Sequence, residues 1–167
     1  MSNITSLTIW EKRNTKLFLD FGTTGTPSWV RLGKSTVFDL AFNPETETFD
    51  FIEDEMPTEL LKSYKPSMAQ EIFLGEGDPA FDKLFELSRK RPVGSMAVIP
   101  ALLVYPKAGT TGNSFLAMKA EATIAFNNFN TVDKKLSFDM KFSGIEDGTA
   151  TFTAGKPTFT ADSDAPA

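Results

Sequence analysis

The chain has 167 residues, 41% hydrophobic and 23% charged, with a formal net charge of −5. That length and mixture suit one soluble domain with a full core, and the acidity argues against a surface built to grip phosphates. Cysteine and histidine are both absent, which removes disulfides, zinc thiolates, thiol nucleophiles and the commonest general base.

Residues 1–14 are mostly polar with one apolar patch, Leu7, Ile9 and Trp10, and read as an N-terminal arm rather than a secretory signal. A short apolar run at 17–21 ends at Gly22. The loop GTTGTP at 22–27 lacks the lysine and spacing of a phosphate cradle. A short strand follows at 29–32. At 37–42, Phe38, Leu40 and Phe42 alternate with Val37, Asp39 and Ala41, the period of a strand, and Asn43-Pro44 marks a turn. Residues 46–52 form another extended piece. The segment 53–66 is acidic, with Glu53, Asp54, Glu55 and Glu59, and is broken by Pro57 and Pro66. At 68–74, Met68, Gln70, Ile72 and Leu74 alternate with Ala69, Glu71 and Phe73. The connection 43–67 is about 25 residues long, which marks a functional or disordered loop. It carries Phe49, Phe51, Ile52, Met56, Leu60, Leu61 and Tyr64, too apolar a set for disorder, so it is expected to bury itself on something.

A helix is predicted over 78–91. Asp78 caps it and Pro79 occupies its first position. Phe81, Leu84, Phe85 and Ser88 fall on one face, with Phe81, Leu84 and Phe85 as the packing residues. Arg89, Lys90 and Arg91 complement the negative end of the helix dipole, and Pro92 and Gly94 stop it. The stretch 96–105 is apolar on both faces, and Pro100 suggests an edge strand or a bulge. A Gly/Thr loop at 107–113 leads into two alternating segments, 115–127 and 135–143, which form a long antiparallel hairpin with one polar face. Asp147-Gly148 is a turn signal, 149–153 a short strand, and 155–167 a polar tail anchored by Phe159. The fold class is mainly β: an antiparallel sandwich or partly open barrel, flanked by one helix, in a single domain.

Catalytic signals are weak. The acidic run 50–59 has neither the glycine nor the spacing of a calcium loop. Glu76 and Asp78 flank Gly77 as a carboxylate pair, but Asp78 is needed as the cap. No nucleophile elbow or SxxK motif occurs. The chain is expected to be no enzyme and to hold no metal or cofactor. Sixteen phenylalanines against two tyrosines and two tryptophans point to aromatics used as filling. No apolar run reaches the ~20 residues of a membrane helix.

The ordered set WVRLGKSTVFDLAFNPETETFDFI at 29–52, LKSYKPSMAQEIFLGEGDPAFDKLFEL at 61–87, VGSMAVIPALLVYP at 93–106 and GIEDGTATFTAGKPTF at 144–159 resembles the major tail (tail tube) proteins of long-tailed bacteriophages, of siphophage type with Gram-positive hosts. The resemblance covers nearly the whole chain. It implies a structural subunit found in the virion tail and assembled in the host cytoplasm. Six copies would form a ring, and rings would stack into a hollow tube that conducts DNA. Implied partners are other copies of the chain, tape measure and tail terminator or tip proteins, and DNA in passage, with no membrane. The loop 43–67 matches the family's inter-ring loop, so Phe49, Phe51, Ile52, Met56, Leu60, Leu61 and Tyr64 are the implied inter-ring contacts. If the alternating strands line the bore, the lumen-facing set is Asp39, Gln70 or Glu71, Lys119, Glu121, Thr123, Ser137, Asp139 and Lys141. Two alternatives stand beside this reading. One is the inner tube protein of a contractile tail or tailocin. The other is a carbohydrate-binding β-sandwich using Trp10, Trp29, Tyr64 or Tyr105.

Overall fold

Strand-forming alternation dominates this chain, and strands dominate its structure. The computed structural model describes residues 9–33, 35, 38–109 and 112–162. Leu7, the start of the arm, Val37 and the last five residues of the tail lie outside the described residues. Among those described, one α-helix, α1 (Pro79–Lys90), accompanies ten strands: β1 (Lys16–Asp20), β2 (Trp29–Arg31), β3 (Asp39–Ala41), β4 (Pro44–Phe49), β5 (Thr58–Tyr64), β6 (Ser67–Phe73), β7 (Val98–Ala108), β8 (Phe115–Asn130), β9 (Lys135–Thr153) and β10 (Lys156–Ala161). The main sheet runs β2-β1-β7-β8-β9-β6-β3, with β10 added to β9, while β4 and β5 form a separate two-stranded sheet. The fold is mainly antiparallel β with a single helix, as the alternation predicts.

The chain divides into two units. The first gathers the described residues up to Leu32, Pro100–Ala120 and those from Ile145 onward. Here β1 pairs antiparallel with β2 and with β7, placing Leu17 opposite Leu103 and Leu19 opposite Val30 and Ala101. Leu17, Phe18 and Leu19 are all buried, as expected of a central strand covered on both faces. Phe18, Leu102, Val104, Ala117 and Ala150 make a core against which Trp29, Phe115, Phe152 and Phe159 pack.

Three expectations fail in this unit. Of the edge strand or bulge read from Pro100, the edge fails, because β7 lies between β1 and β8. Its pairing with β1 runs only from Ala101 to Val104, so the proline sits beyond the ladder and removes no bond from it. Asp147-Gly148 is not a turn, because β9 continues through it to Thr153. Nor is 155–162 a tail: β10 pairs with β9 from Lys156↔Thr153 to Ala161↔Gly148. The connection is the two-residue turn Ala154-Gly155, with φ of 51° and 79°, the two positive values that a type I′ hairpin requires.

The second unit comprises Gly33–Ile99 and Glu121–Gly144. β6 has β9 on one side (Met68↔Met140, Ile72↔Leu136) and β3 on the other (Leu40↔Met68). Met68, Gln70, Ile72, Leu136, Phe138 and Met140 are fully buried, so the period-2 reading of both segments holds. β3 is shorter than its pattern suggested, and Phe38 and Phe42 are exposed, because β3 is the edge of the sheet.

In α1 the Asp78 carboxylate accepts from the Ala80 N–H at 3.2 Å. Arg91 closes the helix in the left-handed region, φ 48°, with its N–H donating to the Ser88 carbonyl at 3.1 Å. Phe81 and Leu84 are buried, and so is Ala80, which the apolar spacing did not single out. Phe85 is only half-buried. It lies 5.7 Å from Phe81 and 6.0 Å from Phe129, ring centre to ring centre.

Candidate functional site

The connection 43–67 is a β-hairpin rather than a loop. β4 and β5 pair antiparallel from Pro44↔Tyr64 to Phe49↔Thr58. Asn43 pins its base. The residue adopts φ 48°, and its side-chain amide donates to the Lys65 carbonyl at 3.0 Å and to Ser67 Oγ at 2.7 Å. Lys65 pairs with Glu45 at 3.0 Å, and Ser63 Oγ donates to the same carboxylate at 3.1 Å. These two hydrogen bonds, Lys65 first, hold the Glu45 carboxyl below its usual range. Phe42 meets Tyr64 edge-on at 6.4 Å, and Phe49 stacks on Phe51 at 5.8 Å.

The expectation that this segment buries itself is not met within the chain. Of the seven proposed contact residues, Phe49 alone is half-buried, whereas Phe51, Ile52, Met56, Leu60, Leu61 and Tyr64 are exposed. Ile52 has a relative exposure of 107%. Contiguous exposed apolar residues of this kind mark an interaction surface, and a lone two-stranded hairpin is marginal in water.

The polar strand faces form the second candidate surface. Register places Asp39 opposite Ala69 and Ala69 opposite Asp139. The next row is Ala41, Ser67 and Lys141. Residues directly opposite point to the same side of a sheet, so Asp39, Asp139 and Lys141 share one face. They line a shallow trough of about 320 Å³, floored by the small Ala41, Ser67 and Ala69. Glu71 lies on the same face opposite Ser137 and pairs with Lys135 at 3.2 Å. Asp139 also accepts from the Asn127 side-chain amide at 3.0 Å. Lys119, Glu121 and Thr123 alternate along one side of β8, with Glu121 and Thr123 exposed and Lys119 half-buried. Gln70 points the other way. It is buried, and Ser35 Oγ donates to its Oε1 at 2.6 Å. Of the pair Gln70 or Glu71, only Glu71 is on the wet face.

The first unit carries a smaller cavity of about 250 Å³ lined by Asn14, Lys16, Tyr105, Phe115 and Phe152. Lys16 Nζ lies 4.8 Å above the Phe152 ring. Burial, and then the Asp147 charge, push the Tyr105 phenol above its ordinary range. Among the described residues no group of three or more acidic side chains is placed to hold a metal ion. No helix among them is long and apolar enough to cross a membrane.

No protein-family model matches the chain, and no curated protein sequence matches it. Solved structures do. The tail of an empty GTA particle, computed with helical refinement in C6 symmetry, aligns over 92% of this chain and 100% of that one, at 14% identity and a TM-score of 0.51. The six-fold symmetrised baseplate of the anti-feeding prophage aligns over 80% and 89%, at 8% identity and a TM-score of 0.45. The chain has a phage tail-tube-like fold.

Proposed function

We propose that the chain is a structural, non-enzymatic subunit of a phage-type tail tube. Six copies form a ring, and stacked rings form a channel for DNA. The observation that carries this reading is an ordered hairpin with its apolar residues exposed, on a fold shared with a tail of C6 symmetry. The hairpin, through Phe51, Ile52, Met56, Leu60, Leu61 and Tyr64, is the contact to the adjacent ring. The wet face bearing Asp39, Glu71, Lys119, Glu121, Thr123, Asp139 and Lys141 is the lining of the bore. Tape measure and terminator or tip proteins are its further partners, and the virion tail is its place of residence. The siphophage type and the Gram-positive host belong to this proposal.

Negative-stain electron microscopy of the concentrated, purified protein tests it. Six-fold rings or tubes are the expected outcome. A protein that stays monomeric by light scattering at every concentration and salt overturns it.

A further inference from the structure

An open groove in the second unit runs between the end of α1 and the end of β8. Its volume is about 550 Å³, within the ~300–1,000 Å³ typical of ligand pockets. Phe85 and Arg89 of α1 and the capping Arg91 form one side, while Phe126 and Phe129 of β8 form the other. The floor is aromatic: Phe85 meets Phe129 at 6.0 Å, and Phe126 meets the fully buried Phe138 at 5.7 Å. Phe129 is 55% exposed, so an apolar ring lies open to water at the mouth. The rim is basic. Arg89 is held only loosely by Glu86, at 3.8 Å, with both side chains mostly exposed. Among the described residues, no ion pair involves Arg91.

The chain also contains a segment of the opposite character. The tip of the β4–β5 hairpin, DFIEDEM at 50–56, has four acids (Asp50, Glu53, Asp54 and Glu55), three large apolar residues and no base. We infer that the hairpin tip of a second copy of this chain docks in this groove. Its apolar residues cover Phe85 and Phe129, and its acids face Arg89 and Arg91. The occupant is another copy, because within one chain Ile52 and Met56 stay exposed and no tip residue lines the groove. Tip and groove are different surfaces, so the contact is heterologous. Repeated from copy to copy without closing on itself, it gives an open-ended stack. This inference rests on the stacked-ring reading and names the receptor for its hairpin.

The chain has no cysteine, so the variant Ile52→Cys with Phe129→Cys provides a clean cross-link. Under mild oxidation of the assembled protein, the expected result is a ladder of disulfide-linked multimers that neither single variant produces. Charge reversal gives a second measurement. Arg89→Glu with Arg91→Glu, or Asp54→Lys with Glu55→Lys, raises the concentration needed for assembly about tenfold, and combining the four changes brings it back to within about threefold. An unchanged monomer melting temperature shows that each variant is folded. Wild-type tubes with no ladder, an internal cross-link, or no rescue by the combined variant overturns the groove as receptor while leaving the tube reading intact. If duplex DNA binds the monomer and Arg89→Glu with Arg91→Glu abolishes that binding without a ladder forming, the groove is a phosphate site and the inference fails. A wild-type protein that never assembles removes the tube reading and this inference together.

Discussion

Gly148 of β9 lies so close under Thr160 of β10 that a Cβ on the glycine would be 2.2 Å from the Thr160 carbonyl oxygen. The Phe159 ring, at 2.8 Å, blocks the same space. The position selects glycine for close approach of two backbones. Gly148→Ala should therefore push β10 off β9 and cost about 1–3 kcal/mol, the usual range for overpacking. Amide exchange in the variant should show lost protection along 156–161. Unchanged protection there means that the two strands are not packed this closely.

Burial along α1 ranks its side chains. Leu84 is fully buried, so Leu84→Ala should cost about 2–5 kcal/mol. Phe85 is half-exposed at the groove, so Phe85→Ala should cost less, about 1–2 kcal/mol, because part of its ring already faces water. Urea denaturation of the two variants compares them directly. A larger loss for Phe85→Ala reverses the ranking and the placement of the helix.

Local signals were legible in the sequence and distant ones were not. The cap at Asp78, the stop ahead of Pro92 and the faces of β6 and β9 follow from neighbours within a few residues, and each holds, with Arg91 as the closing residue of the helix. Of the β4–β5 hairpin only the first strand is legible, as the extended piece at 46–52, because TELLKSY sets no apolar alternation that would mark β5 as its partner. The flanking Asn43-Pro44 and Pro57 are its remaining marks. Asp147-Gly148 looked like a turn because the dipeptide favours one, whereas the demand on Gly148 comes from Thr160. Pro100 looked like an edge marker because the end of the β1 ladder cannot be read from β7 itself. At the candidate surfaces, alternation separated Glu121 and Asp139 from the core, but only register brings Asp39 and Asp139 onto one face. The groove was missed altogether, since Phe85 and Phe129 are far apart in sequence. Its one trace is Phe129 in FNNFN, a large apolar residue among asparagines at the end of a strand.

Alkaline pH should expose the state of Tyr105. Its pKa is raised in the fold by burial and by Asp147, so the folded chain holds the phenol proton more tightly than the unfolded chain does. That contribution is complete below a pH of about 10 and is lost as pH rises through the raised value. Melting temperature should therefore fall more steeply above pH ~10 in the wild type than in Tyr105→Phe. Parallel curves for the two proteins contradict the burial of this hydroxyl.

Removing the hairpin tip should separate folding from assembly. Phe49 and Thr58 are paired, so Asn-Gly can replace residues 50–57 as a two-residue turn. Excising 58–64 instead would strip β4 of its partner strand. The shortened chain is expected to keep its circular dichroism spectrum and to lose rings and tubes in electron micrographs. Tubes of normal appearance exclude the tip from the contact.

Charge on the wet face should matter to passing DNA and little to the fold. Glu121 is exposed, and Asp139 is half-buried with Asn127 as its partner, so Glu121→Lys with Asp139→Lys should change stability by no more than ~1 kcal/mol per site. A basic wall binds phosphates through counterion release. Genome ejection from particles carrying the variant should therefore be slow at low salt and recover as salt screens the wall. Wild-type rates at every salt concentration place these residues away from the bore.

The strand order β2-β1-β7-β8-β9-β6-β3 also fixes when the chain can fold. Leu17 must wait for Leu103, and Ser67 for Lys141. Pairings between such distant positions carry a high contact order, which places folding in the millisecond-to-second range typical of all-β chains. During synthesis, β1 has only the three-residue β2 to pair with and β6 only the three-residue β3, so one edge of each stays open until its distant partner is made, the condition in which strands of neighbouring nascent chains pair with each other. The apolar run of β1 and the buried face of β6 thus stay open to mispairing until β7 and β9 have been made.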